Sequence, residues 1–137
     1  LRAGFAKLVD KYDLVKEIRG KGLMFAIEFG QPRNLMLRAQ CAMIHKLDPS
    51  LFPQAILIPL LKDHHVLAQT AGHHIDVIKL LPTLVLTEAD VDKIVSSFDD
   101  VIGDCSKISG PMWEVGKRLS AQALKRTTSR KSTEPVA

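Results

Sequence analysis

The run from Leu23 to Phe29 alternates with a period of two, and it constrains the fold more than any other part of the sequence. Leu23, Phe25, Ile27 and Phe29 point one way; Met24, Ala26 and Glu28 point the other. Such alternation predicts a strand with one buried and one partly wet face, on a sheet covered by helices on a single side. Directly before it stands Arg19-Gly20-Lys21-Gly22, where paired glycines and cations invite a phosphate-cradle reading. A P-loop needs G-x-x-x-x-G-K-[ST] and a dinucleotide fold needs G-x-G-x-x-G, each opening a helix. Here a strand follows, so an anion would meet no helix N-terminus. The stretch reads as a bend, with Gly20 and Gly22 breaking regular structure.

The flanking segments complete an α+β pattern. Phe5, Leu8, Val9 and Tyr12 fall on one helical face over residues 2–12. Residues 14–18 (LVKEI) form a short strand candidate. Residues 35–47 read as a helix whose apolar positions are Leu35, Met36, Ala39, Met43, Ile44 and Leu47. A second helical stretch, 54–63, contains Pro59, which predicts a kink or a break. Two short strands follow, 66–69 and 76–81, separated by a loop around Gly72 and ended by Pro82. Thr87 with Asp90 three residues on makes a capping-box pattern. Val91, Ile94, Val95, Phe98, Val101 and Ile102 then form a continuous stripe, with Gly103 as the stop. After a linker, Pro111 opens a last helix reaching Lys125, and residues 127–137 lack apolar periodicity and read as disordered. The expected fold is a small antiparallel-rich sheet covered by helices, plus a C-terminal helix.

Composition removes several function classes. The 137 residues suit one core, with 46% hydrophobic and 25% charged residues. No apolar run reaches the roughly 18 residues that span a bilayer, so no membrane partner is expected. The net charge of +4 rests mainly on Lys117, Arg118, Lys125, Arg126, Arg130 and Lys131 near the end. With one Trp, one Tyr and five Phe, the chain offers no base-stacking platform, and no nucleic-acid partner is expected. Cys41 and Cys105 form no C-x-x-C and read as free thiols, and the expected location is cytoplasmic. The first residue is Leu1 and not Met, and residues 1–12 read as a helix already under way, so the chain is expected to be a piece of a longer protein.

Few residues invite chemistry. His64-His65 and His73-His74 lack the spacing that places two imidazoles on one face, His45 stands alone, and no metal site is expected. Lys79 is out of place in the apolar stretch Val77–Leu81. Alternation puts Ile78 and Leu80 on one face and Val77, Lys79 and Leu81 on the other. It is either a lysine at a sheet edge, with its stem packed and its ammonium in water, or a cation aimed at an anionic substrate or partner.

Three segments together resemble the C-terminal part of class III aminotransferases of the ornithine, acetylornithine, 4-aminobutyrate and diamine transaminase type. They are IRGKGLMFAIEF, HHVLAQTAGHHIDVIKLLPTLVLTEADVD and IVSSFDDVI, and the match in order and spacing covers residues 1–103. Residues 104–126 resemble a linker and extra helix of one bacterial-type subgroup. The resemblance implies the small domain of a fold-type I, pyridoxal-phosphate-dependent homodimer that moves an amino group from an amine to a 2-oxo acid. In that family the Arg-Gly-Lys-Gly stretch belongs to the small domain's sheet. The Schiff-base lysine belongs to the large domain, so no catalytic or cofactor-binding residue is expected here and the isolated chain is expected to be inactive. The expected partners are the large domain of the same polypeptide, a second subunit, and the small-molecule amine and oxo acid. An arginine of the ornithine and acetylornithine branch that binds a substrate carboxylate matches Lys79, which keeps the charge but loses the bidentate fork. That departure favours diamines or other ω-amines. The family's second turn proline is Thr83 here, and the loop Thr70 to His74 is expected near the site. The alternative is a non-catalytic binding module of the same fold.

Overall fold

The computed structural model describes residues 1–107 and Gly110. The order is α1 (Arg2–Lys11), β1 (Val15–Lys21), β2 (Met24–Phe29), α2 (Leu35–Leu47), α3 (Leu51–Lys62), β3 (Gln69–Thr70), β4 (Val77–Leu80) and α4 (Glu88–Cys105). The four strands form one antiparallel sheet in the order β1-β2-β4-β3. The α+β class holds. The last helix and the tail expected after residue 110 lie outside the described residues.

The alternation of β2 is realised. Phe25, Ile27 and Phe29 are buried, Met24 is exposed, and Ala26 and Glu28 are half-buried. Ile78 and Leu80 of β4 join the buried face, and α1, α3 and α4 supply Phe5, Leu8, Phe52, Ile56, Leu60, Phe98, Val101 and Ile102 to the same core. The opposite face of the sheet carries Met24, Ala26 and Glu28 of β2 and Val77 and Lys79 of β4.

The glycine stretch differs from the expected bend. β1 runs unbroken through Arg19, Gly20 and Lys21, and only Gly22 leaves the extended region, at φ 60°. Lys21 pairs with Met24, leaving Gly22 and Leu23 as a two-residue loop. A positive φ at the first of these alone is the type II′ pattern, whose twist matches a hairpin. Gly20 has a different reason: a Cβ there would lie 2.3 Å from the Met24 carbonyl oxygen.

The helices depart from expectation in instructive ways. Asn34 caps α2 through hydrogen bonds from the N–H groups of Met36 and Leu37 at 3.0 and 3.1 Å. The face α2 buries is Leu37, Gln40, Cys41 and Ile44, while Leu35, Met36, Met43 and Leu47 are exposed. Of the apolar positions expected to pack, only Ile44 does so fully. α3 begins at Leu51 and continues through Pro59. Proline has no N–H for the carbonyl of Ala55, four residues back. The buried thiol of Cys105 donates to that oxygen instead, at 3.8 Å. Burial pushes the thiol up to about 12, so it keeps its proton. Cys105→Ala is expected to cost about 1–2 kcal/mol by orphaning a buried carbonyl. Cys105→Ser should recover part of the loss, and equal urea midpoints for the Ala variant and the parent would contradict the account.

α4 has the expected cap. The Thr87 hydroxyl accepts from the Asp90 N–H at 3.2 Å, and the Asp90 carboxylate accepts from the Thr87 N–H at 2.9 Å. Gly103 does not stop the helix; it lies under Tyr12, whose hydroxyl a Cβ would meet at 2.8 Å. Tyr12 donates to the Asp99 carboxylate at 2.7 Å, and Lys11 pairs with it at 2.7 Å, tying α1 to α4. Among the described residues, no helix is long and apolar enough to cross a membrane.

Candidate functional site

Lys79 occupies an interior position of the sheet, not an edge. β4 lies between β2 and β3, and Lys79 pairs with Ala26 on one side and Gln69 on the other. Ala26 in turn pairs with Arg19. The row Arg19, Ala26, Lys79, Gln69 therefore crosses all four strands on the face away from the helices. Neighbouring strands are about 4.8 Å apart, so the small Ala26 separates two cations on strands roughly 10 Å apart.

The two cations are in different states. Arg19 donates to Glu28 at 2.9 Å, and Lys16 holds the other oxygen of the same carboxylate at 2.5 Å. The Lys16 hydrogen bond keeps the Glu28 carboxyl below its ordinary value. Among the described residues, no acidic group lies within ion-pair distance of half-buried Lys79. An ammonium on a partly covered surface without a fixed counter-ion is open to a carboxylate from elsewhere.

The loop after Thr70 connects β3 to β4, the strand that carries Lys79. β3 and β4 form a hairpin, closed by the Ala71 N–H donating to the Val77 carbonyl at 2.8 Å. The strand expected over 66–69 is reduced to Gln69 and Thr70, and Val66 is buried without a ladder partner in the sheet. His73 and His74 sit ring against ring, centroids 3.8 Å apart, with His74 at φ 58°. Among the described residues, no group of three or more metal-ligating side chains converges.

The sequence reading missed a second polar feature. His45, in the last turn of α2, faces Asp76 at the entry to β4, with Nε2 and Oδ2 2.6 Å apart. Its Nδ1 faces the Cys41 carbonyl at 2.8 Å, and its ring stacks on Phe52 at 5.4 Å and 20°. His45 and Asp76 line a cleft of about 510 Å³ that also includes Phe29, Arg38 and Cys41. Burial pushes the Cys41 thiol up to about 11, so it is no nucleophile. His45 and Asp76 are 31 residues apart, and neither lies in a spacing that predicts contact.

The described residues do not form a phosphate cup. Gly20 and Lys21 are committed to the β1–β2 ladder, and the stretch opens a hairpin and not a helix.

Comparison with known proteins identifies the family to which this fold corresponds. The family model described as aminotransferase class-III matches residues 1–102. An acetylornithine aminotransferase of Mesorhizobium japonicum is 31% identical over 97 residues, covering 70% of this chain and 18% of that protein. The mitochondrial alanine–glyoxylate aminotransferase 2 homolog 2 of Arabidopsis thaliana is 26% identical over 99 residues, 72% of this chain and 18% of that protein. The crystal structure of acetylornithine aminotransferase from Elizabethkingia anophelis superposes with a TM-score of 0.53 at 30% identity, covering 74% of this chain and 22% of that one. This chain thus spans about a fifth of the length of the relatives it matches.

Proposed function

This chain belongs to the class-III aminotransferase family, and from that premise we propose that it is the substrate-covering small domain of a pyridoxal-phosphate-dependent transaminase. The reading rests on one observation above others. The sheet is covered by helices on one face only, and the other face presents Lys79, which lacks an acidic partner among the described residues. The exposed turn after β4, with Leu84 and Val85 91% and 84% accessible, suits contact with the rest of the polypeptide.

In this reading the cofactor lies with the large domain and supplies the electron sink for amino transfer. The residues here contribute binding and cover. Lys79 holds a substrate carboxylate through a charge-assisted hydrogen bond, and closure of the sheet face over the substrate excludes water. A lysine ammonium grips a carboxylate at a point, not with the two-pronged geometry of arginine. The substrates that fit are therefore diamines or ω-amino acids as donors and a 2-oxo acid as acceptor. The active unit is a homodimer, and the expected compartment is the cytoplasm.

Lys79→Met in the complete polypeptide is expected to raise KM for a carboxylate-bearing substrate about tenfold, the loss of one charged contact. The value for a diamine should move less, and Lys79→Arg should restore the carboxylate substrate. Identical constants for parent and Met variant with both substrates would remove Lys79 from the site.

A further inference from the structure

The loop between β3 and β4 poses a physical problem. Residues Ala71 to Ile75 are all exposed, Ile75 least so at 45% accessible, so little apolar burial offsets the entropy of ordering them. His74 also sits in the left-handed region, at φ 58°. Something polar has to hold this segment.

Besides the backbone bonds of the hairpin, one side-chain contact reaches its end, from the last turn of α2. His45 meets Asp76 at 2.6 Å. Asp48, the C-cap residue, accepts from the Ser50 N–H at 2.8 Å, which holds its carboxyl below the ordinary value. The helix end thus offers a histidine, and the end of the loop answers with an acid.

Hydrogen-bond accounting defines the His45 contact. The Cys41 carbonyl can only accept, so Nδ1 carries a proton and donates to it. Nε2 faces a carboxylate oxygen, and two lone pairs cannot share 2.6 Å without a proton between them. The bond therefore contains a proton, and in its charge-separated form both ring nitrogens are donors. Phe52, 1% accessible, fixes the ring plane from α3. On the loop side, the Asp76 carbonyl accepts from the Phe29 N–H at 2.9 Å, so the clamped residue also begins the β2–β4 ladder.

We propose that His45 is a positioning residue, which latches Asp76 to the end of α2 and so holds the Thr70–Asp76 loop beside Lys79 in the geometry that receives substrate. This rests on the small-domain reading above. His45 touches no reacting atom; it acts through Asp76, three residues before Lys79.

The test uses the complete polypeptide with three variants. His45→Phe keeps the stack on Phe52 and removes both donors. His45→Gln restores one donor, and Asp76→Asn leaves α2 untouched if the Phe variant folds poorly. In His45→Phe, the amides of residues 71–76 should exchange about tenfold faster, a local opening that leaves the global unfolding midpoint nearly in place. KM for the carboxylate substrate should rise about fivefold with a smaller change in kcat. His45→Gln should recover part of both. Unchanged exchange at 71–76 in His45→Phe overturns the latch whatever the kinetics. Faster exchange with unchanged KM overturns the link from latch to substrate. Lys79→Met run in parallel separates the failures: if it too leaves KM unchanged, the site reading falls and exchange alone judges the latch.

Discussion

Phe98→Ala is expected to lower the unfolding free energy by about 3–5 kcal/mol, the usual range for truncating a buried phenylalanine. Phe98 is 0% accessible at the middle of α4. Its ring meets Phe5 edge-on, at 5.3 Å and 83°, and Phe5 meets Phe25 at 5.6 Å and 64°. One ring removed therefore loosens α1, α4 and β2 together. Edge-to-face pairs add about 0.5–1.5 kcal/mol beyond area burial. The cavity cannot be refilled cheaply, because the flanking Ile102 and Val101 are themselves packed. The urea midpoint should fall with little change in slope. Leu35→Ala, at a residue 80% accessible, should shift it by no more than about 0.5 kcal/mol. A loss near 1 kcal/mol for Phe98→Ala would mean that the three-ring cluster does not carry the core.

Gly20→Ala is expected to cost about 2–3 kcal/mol, at the upper end for overpacking by a single methyl. The added carbon would stand 2.3 Å from the Met24 oxygen and 3.1 Å from the Phe25 Cα. Both are backbone atoms, so no side-chain rotation relieves the clash and the β1–β2 ladder has to part. Gly22→Ala tests a different cause. A Cβ there meets nothing within 4 Å, and only the φ of 60° penalises it. Its cost should be about 1–2 kcal/mol. Equal costs at the two glycines would show that close approach at Gly20 is not what excludes a side chain. The distinction bears on function, because Arg19 enters the Lys79 row only through the pairing that Gly20 permits.

Much of this was legible without coordinates where the signal is local. The period of two in β2, the capping box at Thr87 and the stripe of α4 all depend on residues within a few positions of each other. Lys79 was correctly separated from Ile78 and Leu80 by alternation alone. Its interior place in the sheet was not legible, because strand order is decided by packing and not by the strand itself. The apolar face of α2 was misassigned for a related reason. The helix carries hydrophobic residues on more than one side, and the core selected Leu37, Cys41 and Ile44. Gly20 read as a break because glycine loosens a strand, whereas here the neighbouring strand comes too close for anything else.

Local order therefore came from the amino-acid sequence directly: which segments are strands or helices, where α4 starts, and the family pattern around Arg19 to Phe29. Tertiary structure decided how distant groups answer one another. Pro59 is tolerated within α3 because a thiol 50 residues from Ala55 reaches the carbonyl it leaves open. Asp76 is clamped because a histidine 31 residues away turns toward it. Such partners share no period and no motif. They meet only once the helices have closed over one face of the sheet, when buried polar groups must find donors and acceptors among whatever the packing has placed nearby.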